Sequence, residues 1–238
     1  MSILIYLGLC TSLLICTIIF RRPLYILLIR QFFGEYHVRY LDLLSTNTYF
    51  QSAYYVKGEL SNQISGIKSA ISLSDKQNTK QSLYFQNIKY GISSKELISI
   101  LGKPVACDLI DMGSVKVVSL EYNLQANNVI DKYIYYFHQD SYYLGEFIFN
   151  KVAQETSGQI LKSINIKYNT SFHHTDQFAI NNTKGDYLNY RDLGYRISVS
   201  YFNEYNIHIK QLIDLQQKQR IASKSYYDYQ INIQELSF

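Results

Sequence analysis

Residues 2–20, SILIYLGLCTSLLICTIIF, run for nineteen positions without a charge, and Arg21-Arg22-Pro23 follow at once. A hydrocarbon core of about 30 Å takes roughly 20 apolar residues at a rise of about 1.5 Å each, so the run predicts a single transmembrane helix anchoring the chain in a lipid bilayer. A cleaved signal peptide fits the residues less well, because no basic residue precedes the run and Phe20-Arg21 offers no small-residue cleavage site. A lipoprotein form would take its lipid on Cys10, but bulky Leu9 stands just before it. Arg21, Arg22 and Arg30 flank the span on its C-terminal side, and the positive-inside bias then puts the remainder of a single-pass cell-membrane protein in the cytoplasm, with a periplasmic or extracellular domain as the alternative. Residues 24–33, LYILLIRQFF, read as a helix lying in the membrane interface, the alternative being a continuation of the span.

Charge beyond that segment is nearly balanced. The first 39 residues carry four arginines and Glu35, which leaves 19 basic against 18 acidic side chains in the rest. Nucleic-acid binding needs a clustered basic face, and no such run occurs, so nucleic acid is excluded as a partner. Cys10 and Cys16 lie in the apolar run and only Cys107 lies outside it, so the remainder has no internal disulfide and folds on its core alone. Asn169 and Asn181 begin Asn-x-Ser/Thr triplets, which matter only in a eukaryotic secretory pathway.

The expected class is α+β, with an N-terminal transmembrane helix and then helices packed on antiparallel sheet. Residues 1–34 read as anchor and juxtamembrane segment, 35–82 as a helical connector, and 83–238 as an α+β domain made of a unit at 83–150 and a β-rich extension at 151–238. Leu60, Ile64, Ile67 and Ile71 recur at helical spacing, while 74–82, SDKQNTKQS among them, reads as a flexible connection. Ser93 and Glu96 form a capping box, and Gly102 and Pro104 supply the stop, so a short helix is predicted over 94–101. Alternation predicts strands at 117–124, 132–138 and 142–150, the last two joined at Gln139-Asp140-Ser141. Further strands are predicted at 160–168 and 195–201, with Tyr205, Ile207 and Ile209 in a closing hairpin and a final helix over 213–224.

Ile88-Lys89-Tyr90-Gly91-Ile92-Ser93-Ser94-Lys95-Glu96-Leu97, followed by Ile100-Leu101-Gly102-Lys103-Pro104, resembles the glycine–serine…glutamate…Leu-Gly-x-Pro signature of the SmpA/OmlA (BamE-like) outer-membrane-assembly lipoproteins, whose fold is shared with β-lactamase-inhibitor-type modules. The resemblance covers roughly residues 60–150 and implies helices preceding a three-stranded antiparallel sheet. The lipobox of those proteins is absent here.

Catalytic chemistry finds little support. His173-His174-Thr175-Asp176 is the one compact cluster with ligand chemistry, but adjacent side chains diverge and no H-x3-H or cysteine partner accompanies them. His138 and His208 read as surface residues. Cys107 beside Asp108 and Asp111 lacks the basic partner that a nucleophilic thiol needs. No metal, no cofactor and no catalytic residue is therefore assigned. The chain has 24 tyrosines and no tryptophan; in pairs such as Tyr135-Tyr136 and Tyr142-Tyr143, strand neighbours face opposite ways, so some rings are expected on an outer face, where tyrosine favours protein contact. Tyr135, Tyr142 and Tyr143 are the candidate binding residues. The functional expectation is a non-enzymatic, membrane-anchored module for an unknown protein partner. An inhibitor or immunity-type protein blocking an enzyme near the membrane, and a membrane-bound hydrolase, are the alternatives.

Overall fold

The computed structural model describes residues 21, 23–45, 59–111, 115–126, 129–150, 154–173, 175–218 and 221. Helix α1 covers residues 23–33 and α2 is Val38–Ser45. Then come α3 (Glu59–Ser72), β1 (Lys76–Asn78), a 3-10 turn at Phe85–Asn87, α4 (Ser94–Leu101), β2 (Ala106–Asp111), β3 (Lys116–Ala126), β4 (Val129–His138) and β5 (Ser141–Asn150). The chain continues with α5 (Gln154–Tyr168), β6 (Gln177–Asn181), β7 (Asp186–Asp192), β8 (Arg196–Asn203) and α6 over residues 207–218.

One eight-stranded sheet runs in the order β1-β6-β7-β8-β5-β4-β3-β2. Every pairing is antiparallel except β1 with β6, which is parallel and aligns Lys76 with Ala179. The architecture repeats itself: α4 precedes the meander β2 to β5, α5 precedes the meander β6 to β8, and the last strands of the two meanders meet at the centre, Phe147 opposite Val199. Helices cover both faces. On one, Leu97 of α4 and Ile164 and Tyr168 of α5 pack with Phe85 on Tyr135, Tyr142, Val199 and Tyr201. On the other, Ile64, Ile67 and Ala70 of α3 and Ile209 and Leu212 of α6 pack on Tyr136, Tyr143, Ile148 and Phe202.

The α+β expectation needs correction in its first element, because among the described residues no helix is long and apolar enough to cross a membrane. The run at 2–20 lies outside the described residues, and with it the single-pass, membrane-embedded placement loses its structural footing. The described part of α1 covers residues 23–33. It leaves Leu24, Tyr25, Leu27, Leu28 and Phe32 exposed while Ile29 is buried.

Other departures have local causes. Ile160, Ile164 and Tyr168 do share a face, but at spacings of four, so a helix satisfies them as well as a strand; in α5 Ile164 and Tyr168 are buried while Ile166, which alternation would also bury, is 72% exposed. The closing hairpin is likewise helix: in α6 Ile209, Leu212 and Gln216 are buried at spacings of three and four, and Ile207 is exposed. The polar connection at 74–82 contains β1, whose pairing partner lies about a hundred residues on. The capped helix 94–101 forms as expected: Ser93 Oγ accepts from Glu96 N at 3.2 Å, and Glu96 Oε2 accepts from Ser93 N at 2.8 Å. The β4–β5 turn holds Gln139 and Asp140 at φ of +52° and +59°, the pattern of a tight two-residue hairpin.

Candidate functional site

Tyr135, Tyr142 and Tyr143 are each 0% exposed. Strand neighbours do point to opposite faces, but helices cover both faces here, so the rings fill two cores and offer no partner surface. Tyr135 and Tyr142 meet edge to face at 5.3 Å between ring centroids, while Tyr143 lies in the other core beneath α3 and α6. Burial pushes the hydroxyls of all three far above the ordinary tyrosine value. Of the arginines expected to flank a membrane span, Arg22 lies outside the described residues and Arg21 is exposed. Arg30 reaches Glu35 at 2.8 Å across the end of α1.

The polar chemistry gathers at one end of the sheet, where four separate segments converge. The stretch 84–93 is tied to β5 by Gly91 N donating to Tyr142 O at 2.8 Å and Tyr142 N donating to Ile92 O at 3.0 Å. The β6–β7 turn joins the β8–α6 turn through Glu204 N donating to Gly185 O at 2.9 Å. Between these segments lies a cleft of about 370 Å³. Its aromatic walls are Tyr84, Tyr90 and Tyr205, and its two lysines are Lys89 and Lys184. The floor carries Asp186, Asn203 and Asn206.

The floor is built by hydrogen bonds. Asp186, 2% exposed, accepts from Asn203 Nδ2 at 2.7 Å and from Asn182 Nδ2 at 3.0 Å. Asn182 Oδ1 in turn accepts the backbone N–H groups of Lys184 and Asp186, which shapes the turn as an asparagine of this kind does. Gly185 has φ of +76°, and a Cβ there would collide with the Tyr205 ring, so glycine is what lets that ring close the wall. Asn206 caps α6 by accepting from His208 N at 2.9 Å. With both Asp186 oxygens held internally, the open charges of the cleft are Lys89 and Lys184, and among the described residues neither makes an ion pair. Tyr90 stacks on Tyr142 at 5.4 Å between centroids, and burial raises its hydroxyl well above the usual value.

Beside the cleft, His138 at the end of β4 and His208 in the first turn of α6 bring their Nδ1 atoms to 3.0 Å. His138 is buried, contrary to the surface position expected of it. Seventy positions separate the two, and neither local sequence carries a signal that they meet. His37 is also buried. Its Nδ1 accepts from Arg39 N at 3.1 Å and so starts α2, and its pKa is lowered by burial and Arg39 against the opposing pull of Asp140. His173 is exposed and His174 lies outside the described residues. Among the described residues no group of three or more His, Cys, Asp or Glu is placed to hold a metal ion. Cys107 is buried and its thiol is pushed up to about 12, first by desolvation and then by Asp108, which makes it a core residue without thiolate character at neutral pH.

Compared with protein-family models, with curated proteins and with solved structures, the chain matches none of them.

Proposed function

We propose that the protein is a non-enzymatic binding module that takes an acidic, aromatic-bearing segment of a partner protein into the cleft at residues 84–90, 184–186 and 203–206. One observation carries this reading: two lysines that make no ion pair among the described residues line a cleft together with three tyrosines. The volume lies in the range of ordinary ligand pockets. Tyrosine walls give large contact area at low entropic cost, and lysines that hold no carboxylate among the described residues recruit one from outside. Partner contact thus sits on loops positioned by a rigid sheet, while the buried tyrosines of the strands supply the scaffold.

The test is fluorescence anisotropy with a labelled synthetic peptide of alternating Glu and Tyr, using a Lys–Tyr peptide as control. Saturable binding of the acidic peptide is expected, weakening as salt rises. Lys89→Glu combined with Lys184→Glu should weaken it by about fivefold or more, since each exposed charge contact contributes roughly 0.2–1 kcal/mol and reversal changes its sign. Equal binding of the two peptides, or undiminished binding by the double variant, would refute the reading.

A further inference from the structure

We propose that His138 and His208 form a two-imidazole site for a divalent transition-metal ion of the zinc, nickel and copper group. The two Nδ1 atoms stand 3.0 Å apart, with ring planes at 88° and centroids 5.0 Å apart. Two nitrogens bound to one ion at about 2.0–2.1 Å, and subtending anything from a right angle to the tetrahedral angle, lie about 2.9–3.4 Å from each other. The pair therefore has the separation that a shared ion requires.

Each imidazole is fixed by structure other than the contact itself. His138 ends β4 opposite Ser141 and is 5% exposed. His208 rides on the first turn of α6, which Asn206 caps and which Ile209 and Leu212, each 1% exposed, seat against the sheet. Metal ligation needs neutral imidazole, the form an ordinary histidine mostly takes at neutral pH. Both are therefore available as ligands at neutral pH. Imidazole donors suit zinc, nickel and copper, whereas magnesium and calcium take oxygen. His208 is only half-buried, and water or an outside donor would complete the coordination. Binding involves no net loss of a proton: the imidazole that donates through Nδ1 shifts that proton to its own Nε2, and both Nδ1 lone pairs then face the ion. Because the ion bridges the central sheet to α6, it binds the folded chain in preference to the unfolded one and stabilises it by linkage.

The experiment is thermal unfolding of the full chain after chelator treatment, with zinc, nickel or copper chloride added back, paired with calorimetric titration of the same salts. One saturable ion per chain is expected, with a midpoint that rises with ion concentration for at least one of the three and does not move with magnesium. His208→Ala and His208→Gln, both on the half-buried partner and both helix-compatible, should each weaken binding tenfold or more while His37, His173 and His174 stay in place. Absence of saturable binding for all three ions at millimolar concentration would overturn the site. So would binding that survives in both variants.

Discussion

Replacing Glu146 with alanine should cost this fold more than any single change on its surface. The carboxylate is 0% exposed at the centre of the sheet. It accepts from Gln63 Nε2 at 3.0 Å, from Tyr136 Oη at 3.1 Å and from Ser198 Oγ, and Arg196 Nη2 approaches to 3.8 Å. Gln63 belongs to α3, so the carboxylate also joins that helix to the sheet. Alanine withdraws the acceptor from all of these donors at once and leaves a cavity. Breaking a buried charged pair by deleting one partner costs about 3–5 kcal/mol, and a domain of this size loses roughly 2–4 °C of midpoint per kcal/mol, so the expected fall in Tm is about 6–20 °C. Glu146→Gln keeps the shape, and its amide can donate to the Ser198 hydroxyl, which rotates to accept. It should cost about 1–2 kcal/mol, mostly through lost attraction for Arg196. Urea unfolding followed by circular dichroism, with an unchanged slope, gives both values. An alanine variant within about 1 kcal/mol of the parent, or a glutamine variant worse than alanine, would refute the account of this network.

Gly145→Ala should destabilise by about 1–3 kcal/mol, because a Cβ there runs into the Phe85 ring and the Tyr142 hydroxyl; Phe85→Leu in the same chain should recover part of that loss in the same urea titration. In a chain carrying Cys10→Ser and Cys16→Ser, Cys107 should not react with a thiol-specific chromogen in the folded state, its thiol being pushed up to about 12 by burial, and should react fully on unfolding; rapid native-state labelling would show that the site is open. His37, His138 and His208 all have pKa values below the ordinary 6.5 in the folded chain. His37 is faced by Asp140 and Arg39, and His138 by His208. The unfolded chain then binds more protons below pH 6.5, so chelated protein should hold its full histidine contribution above that pH and lose stability progressively as pH falls beneath it. Stability that rises on acidification from pH 7 to 5.5 would contradict this.

What the sequence made legible was local. The helix Ser94–Leu101 carries its own start in Ser93 and Glu96 and its own stop in Gly102, and the β4–β5 hairpin carries its turn in Gln139-Asp140. Where two periodicities coincide, sequence pattern loses its power: Ile160, Ile164 and Tyr168 fit a strand by twos and a helix by fours, and the burial available beside β6 and β7 decides for the helix. β1 is written in polar residues and becomes a strand only because β6 offers it an edge. Strand alternation exposes one ring of each tyrosine pair only where one face of the sheet is open, and here both faces are covered, so Tyr135, Tyr142 and Tyr143 are all buried. The cleft was invisible for the same reason as the His138–His208 contact. Its lining comes from segments around 84–90, 184–186 and 203–206, and nothing in any one of them announces the others.

The parallel pairing of β1 with β6 also sets an order of events during synthesis. Roughly 100 residues separate the end of β1 from the start of β6, so at about 5–20 residues per second the ribosome needs about 5–20 s to deliver the partner strand. α3 faces the same interval, because Gln177, which bonds Ser69, and Asn189, which bonds Gly66 O, belong to β6 and β7. The meander from β2 to β5 can assemble meanwhile, but Ile64, Ile67 and Ala70 have no complete surface to cover until the second meander emerges. The nascent chain thus carries a greasy helix ahead of its berth, and this interval is when a chaperone holding residues 59–72 would do the most to keep newly made molecules from sticking together.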